Sequence, residues 1–250
     1  LMMGEERFAV GVADSFSRVT NGKQIGVCTV MAGLNAAGIQ MAFGAIAQAW
    51  EDSSPLLVIA EGLGVGASRH THFDMAEAFR PVTKWVGKVD RADLIPEYTR
   101  RAYTHLRSGR PGPVLLLIPR DLGEYDADEH PYAPVKGWRS GPDPDDVKSA
   151  IRALLSAKDP LLHIGEGVCY ADAAAELLQF AEAAQIPVMT TLKAKGVFPE
   201  NHPLSIGVRG SMVDHFLRKC DLLFSVGSSL FPGRFSHTVP DAHKKTIVQC

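Results

Sequence analysis

Apolar residues along this chain recur with two different periods. In residues 5–20, Phe8, Val12, Phe16 and Val19 return at helical spacing and Asn21-Gly22 supplies a stop, so a helix is predicted there. Gln24–Val30 reads as a strand. Residues 36–50 predict a helix rich in Ala and Gly, whose small side chains permit close approach to a sheet or a partner. Leu56–Ala60 is a buried strand, followed by a glycine-rich loop over Glu61–Ser68 and a strand over Val82–Val89. Ala92–Arg107 predicts an amphipathic helix with Leu94, Tyr98, Ala102 and Leu106 on one face, Asp90 as its N-cap and Asp93 in its first turn. The stretch Arg107–Leu122, RSGRPGPVLLLIPRDL, is the most sharply punctuated. Pro111 and Pro113 force an extended entry, Val114–Ile118 is uniformly apolar, and Pro119 ends the run, because proline fixes φ and has no N–H.

Residues 122–143 break this rhythm. LGEYDADEHPYAPVKGWRSGPD is polar, rich in Pro and Gly and without period, and reads as an interdomain linker. The alternation then restarts, with helices over 144–156, 171–184 and 211–218 and strands over 160–164, 186–190 and 221–226. Strands alternating with helices imply parallel sheets covered on both faces. The expected fold is therefore α/β: two doubly wound, mostly parallel-sheet domains, 1–121 and 144–250, joined by the linker 122–143. No internal repeat of fixed period is present.

Composition narrows the function. With 250 residues, 46% of them hydrophobic, the chain is long enough for two cores. A net charge of -2 and the lack of a basic run argue against nucleic acid as a partner. No apolar stretch approaches the roughly 18 residues of a membrane span. Leu1–Glu6 lacks the charged-then-apolar pattern of a leader peptide. Cys28, Cys169, Cys220 and Cys250 lack zinc-site spacing and read as free thiols of a reducing, cytoplasmic setting; no metal ligands are assigned. The chain opens on Leu1 just ahead of a helix and closes inside the strand-like Thr246–Cys250. We therefore expect a piece of a longer protein, truncated at both ends.

Five stretches, in order, carry a resemblance: Ala13–Arg18, AFGAIAQAWEDSSPLLVIA at 42–60, RPVTKW at 80–85, RSGRPGPVLLLIPRDL, and TTLKAKGVFPENHPLSIG at 190–207. Together they resemble the thiamine-diphosphate (ThDP) enzymes of the acetolactate synthase, pyruvate oxidase and benzoylformate decarboxylase type. That family has a pyrimidine-binding, a central and a pyrophosphate-binding domain, and this chain resembles the later part of the first and most of the second. The resemblance implies that Glu6, seven residues before Ala13-Asp14, is the catalytic carboxylate. It would share a proton with N1′ of the aminopyrimidine and promote the imino tautomer that deprotonates thiazolium C2. Glu5 stands where the family usually has His and is the better candidate for a solvated role.

The family's Gly-Pro-Gly turn, which packs on the pyrimidine, is altered here. Gly33 matches its first glycine and Leu34 its proline; the second glycine is either replaced by Asn35 or displaced to Gly38. Gly33, Leu34, Asn35 and Gln40 are the implied cofactor contacts, and His70, His72 and Lys84 are candidate substrate-facing residues. In the second domain Gly165-Glu166-Gly167 follows a strand, and such a turn can present N–H groups to a phosphate. The resemblance adds Thr191, Leu192, Gly207, Arg209, Gly227 and Arg234 as candidate contacts to FAD or ADP. The Gly-Asp-Gly…Asn-Asn signature that anchors Mg²⁺ and the cofactor pyrophosphate is absent from the sequence and belongs to the family's third domain. The implied activity is decarboxylation, carboligation or C–C cleavage of 2-oxo acids or related carbonyl compounds by a homodimer or homotetramer. Two other readings remain open: a non-catalytic relative acting as a binding or scaffold subunit, and a nucleotide-binding α/β module without ThDP.

Overall fold

The structure is a computed structural model describing residues 1–32, 36–64, 73–124, 126–129, 131–134, 136–231 and 237–250. The chain divides into two compact units, Leu1–Ser140 and Gly141–Cys250. The division falls inside the polar segment that lacks apolar periodicity.

The first unit runs α1 (Glu6–Val19), β1 (Gly26–Val30), α2 (Ala37–Glu51), β2 (Leu56–Gly62), α3 (Met75–Phe79), β3 (Trp85–Lys88), α4 (Ile95–Leu106) and β4 (Pro113–Pro119). Its four strands are parallel in the order β1-β2-β4-β3. Strand β4 is central and nearly all buried because its alternating side chains serve two cores. Leu115 and Leu117 pack with Ile39, Ala42 and Ile46 of α2, while Val114 and Leu116 pack with Ala102 and Leu106 of α4. This double coverage explains the unbroken apolar run between the prolines.

Helix α1 forms where its period predicts, but it turns the opposite face inward. Val10, Ala13, Asp14 and Ser17 are buried, whereas Phe8, Val12, Phe16 and Val19 are 43–80% exposed. The reason is proximity: a Cβ on Gly26 would lie 1.9 Å from the Ala13 carbonyl oxygen. Only small residues fit where α1 meets β1. Ser17 Oγ accepts the Gly26 N–H at 2.8 Å, and Arg18 joins Asp14 (2.9 Å) to Asp52 (2.8 Å) beyond the end of α2. Asp90 is not an N-cap. A short 3₁₀ turn over Ala92–Leu94 precedes α4, and Arg91 pairs with Asp93 instead.

The second unit holds α5 (Pro144–Ser156), β5 (Pro160–Ile164), α6 (Gly167–Ala171), α7 (Ala174–Ala184), β6 (Val188–Thr190), β7 (Ser205–Gly207), α8 (Ser211–Lys219), β8 (Leu222–Val226) and β9 (Thr246–Gln249). All strands are parallel, in the order β7-β6-β5-β8-β9. The chain starts at the middle strand, builds outward one way, then crosses to build the other way, so the order reverses between β5 and β8. Open α/β sheets bind ligands at such a reversal, outside the carboxyl ends of the strands. The helix expected over 171–184 starts at Ala174, and the separate short α6 before it ends at Asp172, which adopts left-handed backbone (φ 57°, ψ 39°).

Candidate active site

In the first unit the carboxyl ends of the strands lie beside the N-termini of α1 and α2. Glu5 is extended and half-buried, and its carboxylate meets Arg7 at 2.6 Å. Glu6, the first residue of α1, is half-buried. Its carboxylate lies against the first turn of α2: a Cβ built on Gly38 would stand 2.5 Å from Glu6 Oε1 and 2.2 Å from the Met31 carbonyl oxygen. Position 38 therefore admits no side chain while the carboxylate, the end of β1 and the start of α2 converge on it. The first turn of α2 holds no acidic residue of its own, so Glu6 supplies the negative charge that a helix N-terminus favours.

Ala36 delivers the chain into α2 in left-handed backbone (φ 55°, ψ 15°), at a cost of about 1–2 kcal/mol for a residue with a Cβ. Gly38, the position to which the second glycine of the turn would be displaced, stands against Glu6. Gly33, Leu34, Asn35, His70 and His72 lie outside the described residues. Gln40 is exposed on α2. At the same edge, Gly62, Asp74, Lys88, Asp90, Leu117 and Pro119 line a cavity of about 230 Å³. Cys28, on the neighbouring β1, is buried and its thiol is pushed up to about 12, so it is held as an unreactive thiol.

Lys84 is at the other end of the sheet. It precedes β3, beside a cavity of about 470 Å³ lined by Trp50, Glu51, His105 and Arg110. Its Nζ donates to the Ser108 carbonyl at 2.6 Å and to the His105 carbonyl, satisfying carbonyls at and just beyond the end of α4. Burial lowers its pKa. The substrate-facing expectation for Lys84 thus gives way to a capping role on the edge opposite Glu6. Lys84→Leu is expected to cost about 1–2 kcal/mol in chemical denaturation and to leave turnover unchanged.

In the second unit Gly165, Gly167, Thr191, Leu192, Gly207, Arg209 and Gly227 all follow the carboxyl ends of parallel strands, so the structure gathers them at one sheet edge. Arg234 lies outside the described residues. The glycine turn, however, does not offer its amides to a phosphate. Gly165 N–H donates to the Val226 carbonyl (2.8 Å) and Gly167 N–H to the Gly227 carbonyl (2.9 Å). A Cβ on Gly165 would lie 2.2 Å from the Gly227 carbonyl oxygen. These glycines are required because the loops after β5 and β8 pack directly on each other. Leu192 and Arg209 are exposed, and Lys193 pairs with Glu166 at 3.7 Å.

Sequence reasoning passed over a polar cluster inside this edge. His163 on β5 is buried, with Nδ1 3.1 Å from Ser225 Oγ on β8. It stands edge-to-face with His237, ring centroids 5.8 Å apart. A lone His in an apolar strand gave no signal of this pairing. Burial, with His237 adding to it, pushes the His163 pKa down from 6.5 to about 4. The unfolded chain therefore takes up a proton as pH falls through 6.5, which the folded protein refuses until about 4. Stability is lost across that window as pH falls, by up to about 3 kcal/mol. His163→Asn, which keeps a partner for Ser225, is expected to flatten that limb of a stability-versus-pH curve.

Among the described residues no group of three or more His, Cys, Asp or Glu could hold a metal ion, and no helix is long and apolar enough to cross a membrane.

The fold and this edge define a two-unit, parallel-sheet α/β protein with a carboxylate at the ligand end of its first sheet. Comparison with known proteins gives the family. Residues 1–79 match the family model described as thiamine pyrophosphate enzyme, N-terminal TPP binding domain, and residues 147–250 match thiamine pyrophosphate enzyme, central domain. The chain belongs to the thiamine pyrophosphate enzyme family. It is 32% identical to a probable acetolactate synthase large subunit of Methanocaldococcus jannaschii, over 97% of this chain and 43% of that protein. It is 35% identical to the acetolactate synthase large subunit of Corynebacterium glutamicum (91% and 37%) and 34% identical to glyoxylate carboligase of Escherichia coli O157:H7 (87% and 38%). The crystal structure of benzoylformate decarboxylase from Polynucleobacter necessarius superposes with a TM-score of 0.80 at 26% identity, covering 98% of this chain and 47% of that one. The chain spans less than half the length of these relatives.

Proposed function

We propose that the whole protein is a ThDP-dependent enzyme that decarboxylates, joins or cleaves 2-oxo acids or related carbonyl compounds. The observation that carries this reading is the Glu6 carboxylate packed on Gly38, where a Cβ would fill the space. ThDP, when bound, supplies a carbon nucleophile that adds to a carbonyl and stabilises the negative charge left after C–C cleavage. Glu6 would hold and return one proton at the aminopyrimidine. Gly38 and the Met31 carbonyl fix where that carboxylate stands, and Gly33, Leu34 and Asn35 would complete the contact to the ring. The alternative of a catalytically silent scaffold has no such use for a glycine forced against a carboxylate.

Magnesium and the cofactor pyrophosphate would be held by a pyrophosphate-binding domain. Titration calorimetry of the whole protein with ThDP and Mg²⁺ is expected to give saturable binding and, with a 2-oxo acid added, turnover. Absence of binding would remove the reading. The exposed stripe of Phe8, Val12, Phe16 and Val19 on α1, with Met41, Phe43 and Trp50 on α2, supports self-association as a homodimer or homotetramer. The four free cysteines suit a reducing compartment, and the cytoplasm is the proposed location.

An adenine nucleotide, FAD or ADP, is the proposed ligand of the second unit. Thr191, Leu192, Gly207, Arg209 and Gly227 lie along the carboxyl edge on which the strand reversal between β5 and β8 falls, and are the proposed contacts; the amides of Gly165, Gly167, Thr191 and Gly227 are already bonded within the protein, so none of these amides would serve the ligand.

A further inference from the structure

We propose that His237 is a positioning residue for the nucleotide site of the second unit, acting through the Val208 carbonyl. The proposal rests on the nucleotide reading above and concerns a residue outside its set of contacts. Val208 lies between Gly207 and Arg209, in the segment joining β7 to α8. Gly207 (φ 86°) and Gly210 (φ 116°) bound that segment, and a Cβ at either would meet nothing within 4 Å. The glycines are there for backbone conformation, which leaves the segment without side-chain packing at both ends.

Ile206 before it and Val213 after it pack with Leu230 and Val239, and within it the Val208 carbonyl is held by His237, from the chain that follows β8. Its ring Nε2 lies 2.6 Å from the Val208 carbonyl oxygen. A carbonyl only accepts, so Nε2 carries the proton and donates. Nδ1 is buried without a hydrogen-bond partner. The ring is backed edge-to-face by His163, which is held by Ser225. Strands β7 and β8 are separated in the sheet by β6 and β5. One imidazole therefore spans the carboxyl edge and ties the segment carrying Gly207 and Arg209 to the one that begins at Gly227. Both segments lie on the carboxyl edge along which a nucleotide bound there would extend. Loss of this link loosens the backbone at Val208, between Gly207 and Arg209, without removing any proposed ligand contact.

The test compares FAD and ADP affinity, by fluorescence and calorimetry, for the whole protein and for His237→Leu and His237→Gln, with thermal melts alongside. His237→Gln keeps an N–H donor at about the Nε2 position; His237→Leu removes it. The expected result is about fivefold to tenfold weaker binding for Leu, with affinity restored toward wild type in Gln. A structural role alone would shift both melts without this split in affinity. Leu binding as tightly as wild type, or Leu and Gln losing affinity equally, would overturn the positioning role while leaving the nucleotide reading intact. Wild type binding neither FAD nor ADP would overturn the nucleotide reading and this proposal with it.

Discussion

Glu6→Gln in the whole protein is expected to reduce turnover by roughly 10²–10⁴-fold, the usual worth of a positioned proton-transfer group, with little change in stability. The amide has nearly the shape of the carboxylate, so it still fits against Gly38 and the Met31 carbonyl. It cannot exchange a proton, and it brings N–H donors to a helix N-terminus that favours negative charge. Hydrogen–deuterium exchange at the cofactor's thiazolium carbon, followed by NMR, should slow in step with turnover. Exchange and turnover at wild-type rates would mean that Glu6 is a surface residue of α1 and no more. Glu5→Gln is the matched control, because Glu5 sits on the same turn but faces Arg7, and it should leave both rates unchanged.

Gly38→Ala is expected to do comparable damage by a different route. Its Cβ would collide with the Met31 carbonyl oxygen at 2.2 Å, a backbone atom, and with Glu6 Oε1 at 2.5 Å. The backbone contact should cost about 1–3 kcal/mol of stability through overpacking. The side-chain contact would displace the carboxylate, so turnover should fall even at temperatures where the protein is folded. Gly44→Ala tests whether this is specific. Gly44 lies later in the same helix with nothing within 4 Å of its Cβ position, and there alanine should stabilise by roughly 0.5–1 kcal/mol. A folded, fully active Gly38→Ala protein would show that the convergence at the α2 N-terminus is incidental.

Much of this site was legible from residue order, and the illegible parts have identifiable causes. Glu6 was singled out by the family resemblance, in which a glutamate stands seven residues before an Ala-Asp pair; by residue type alone it reads as an ordinary first-turn glutamate. Gly38 was named only as one of two alternatives for the turn's second glycine, because residue order across the loop between β1 and α2 does not say what the carboxylate of α1 will meet. Lys84 looked like a site residue because its segment matched a family pattern, yet its amine is drawn to the carbonyls at the end of α4 on the opposite edge. Gly165 and Gly167 looked like a phosphate turn because glycine permits close approach without naming what approaches; here it is the loop after β8.

The alternation of apolar runs with amphipathic segments by itself determined two parallel α/β sheets, the burial of the Val114–Ile118 strand and the polar break between them. These follow from local rules: period, proline stops and burial on both faces. Tertiary structure alone decided which face of α1 is buried, since the fit of Ala13 onto Gly26 outweighs the larger apolar residues on the other side. It alone brought Gly38 to Glu6, sent Lys84 to the far edge and joined His163, His237 and Val208 from strands and loops that are remote in the chain. Periodicity reports which residues share a face; it carries no information about what lies across from that face, and chemistry depends on the latter.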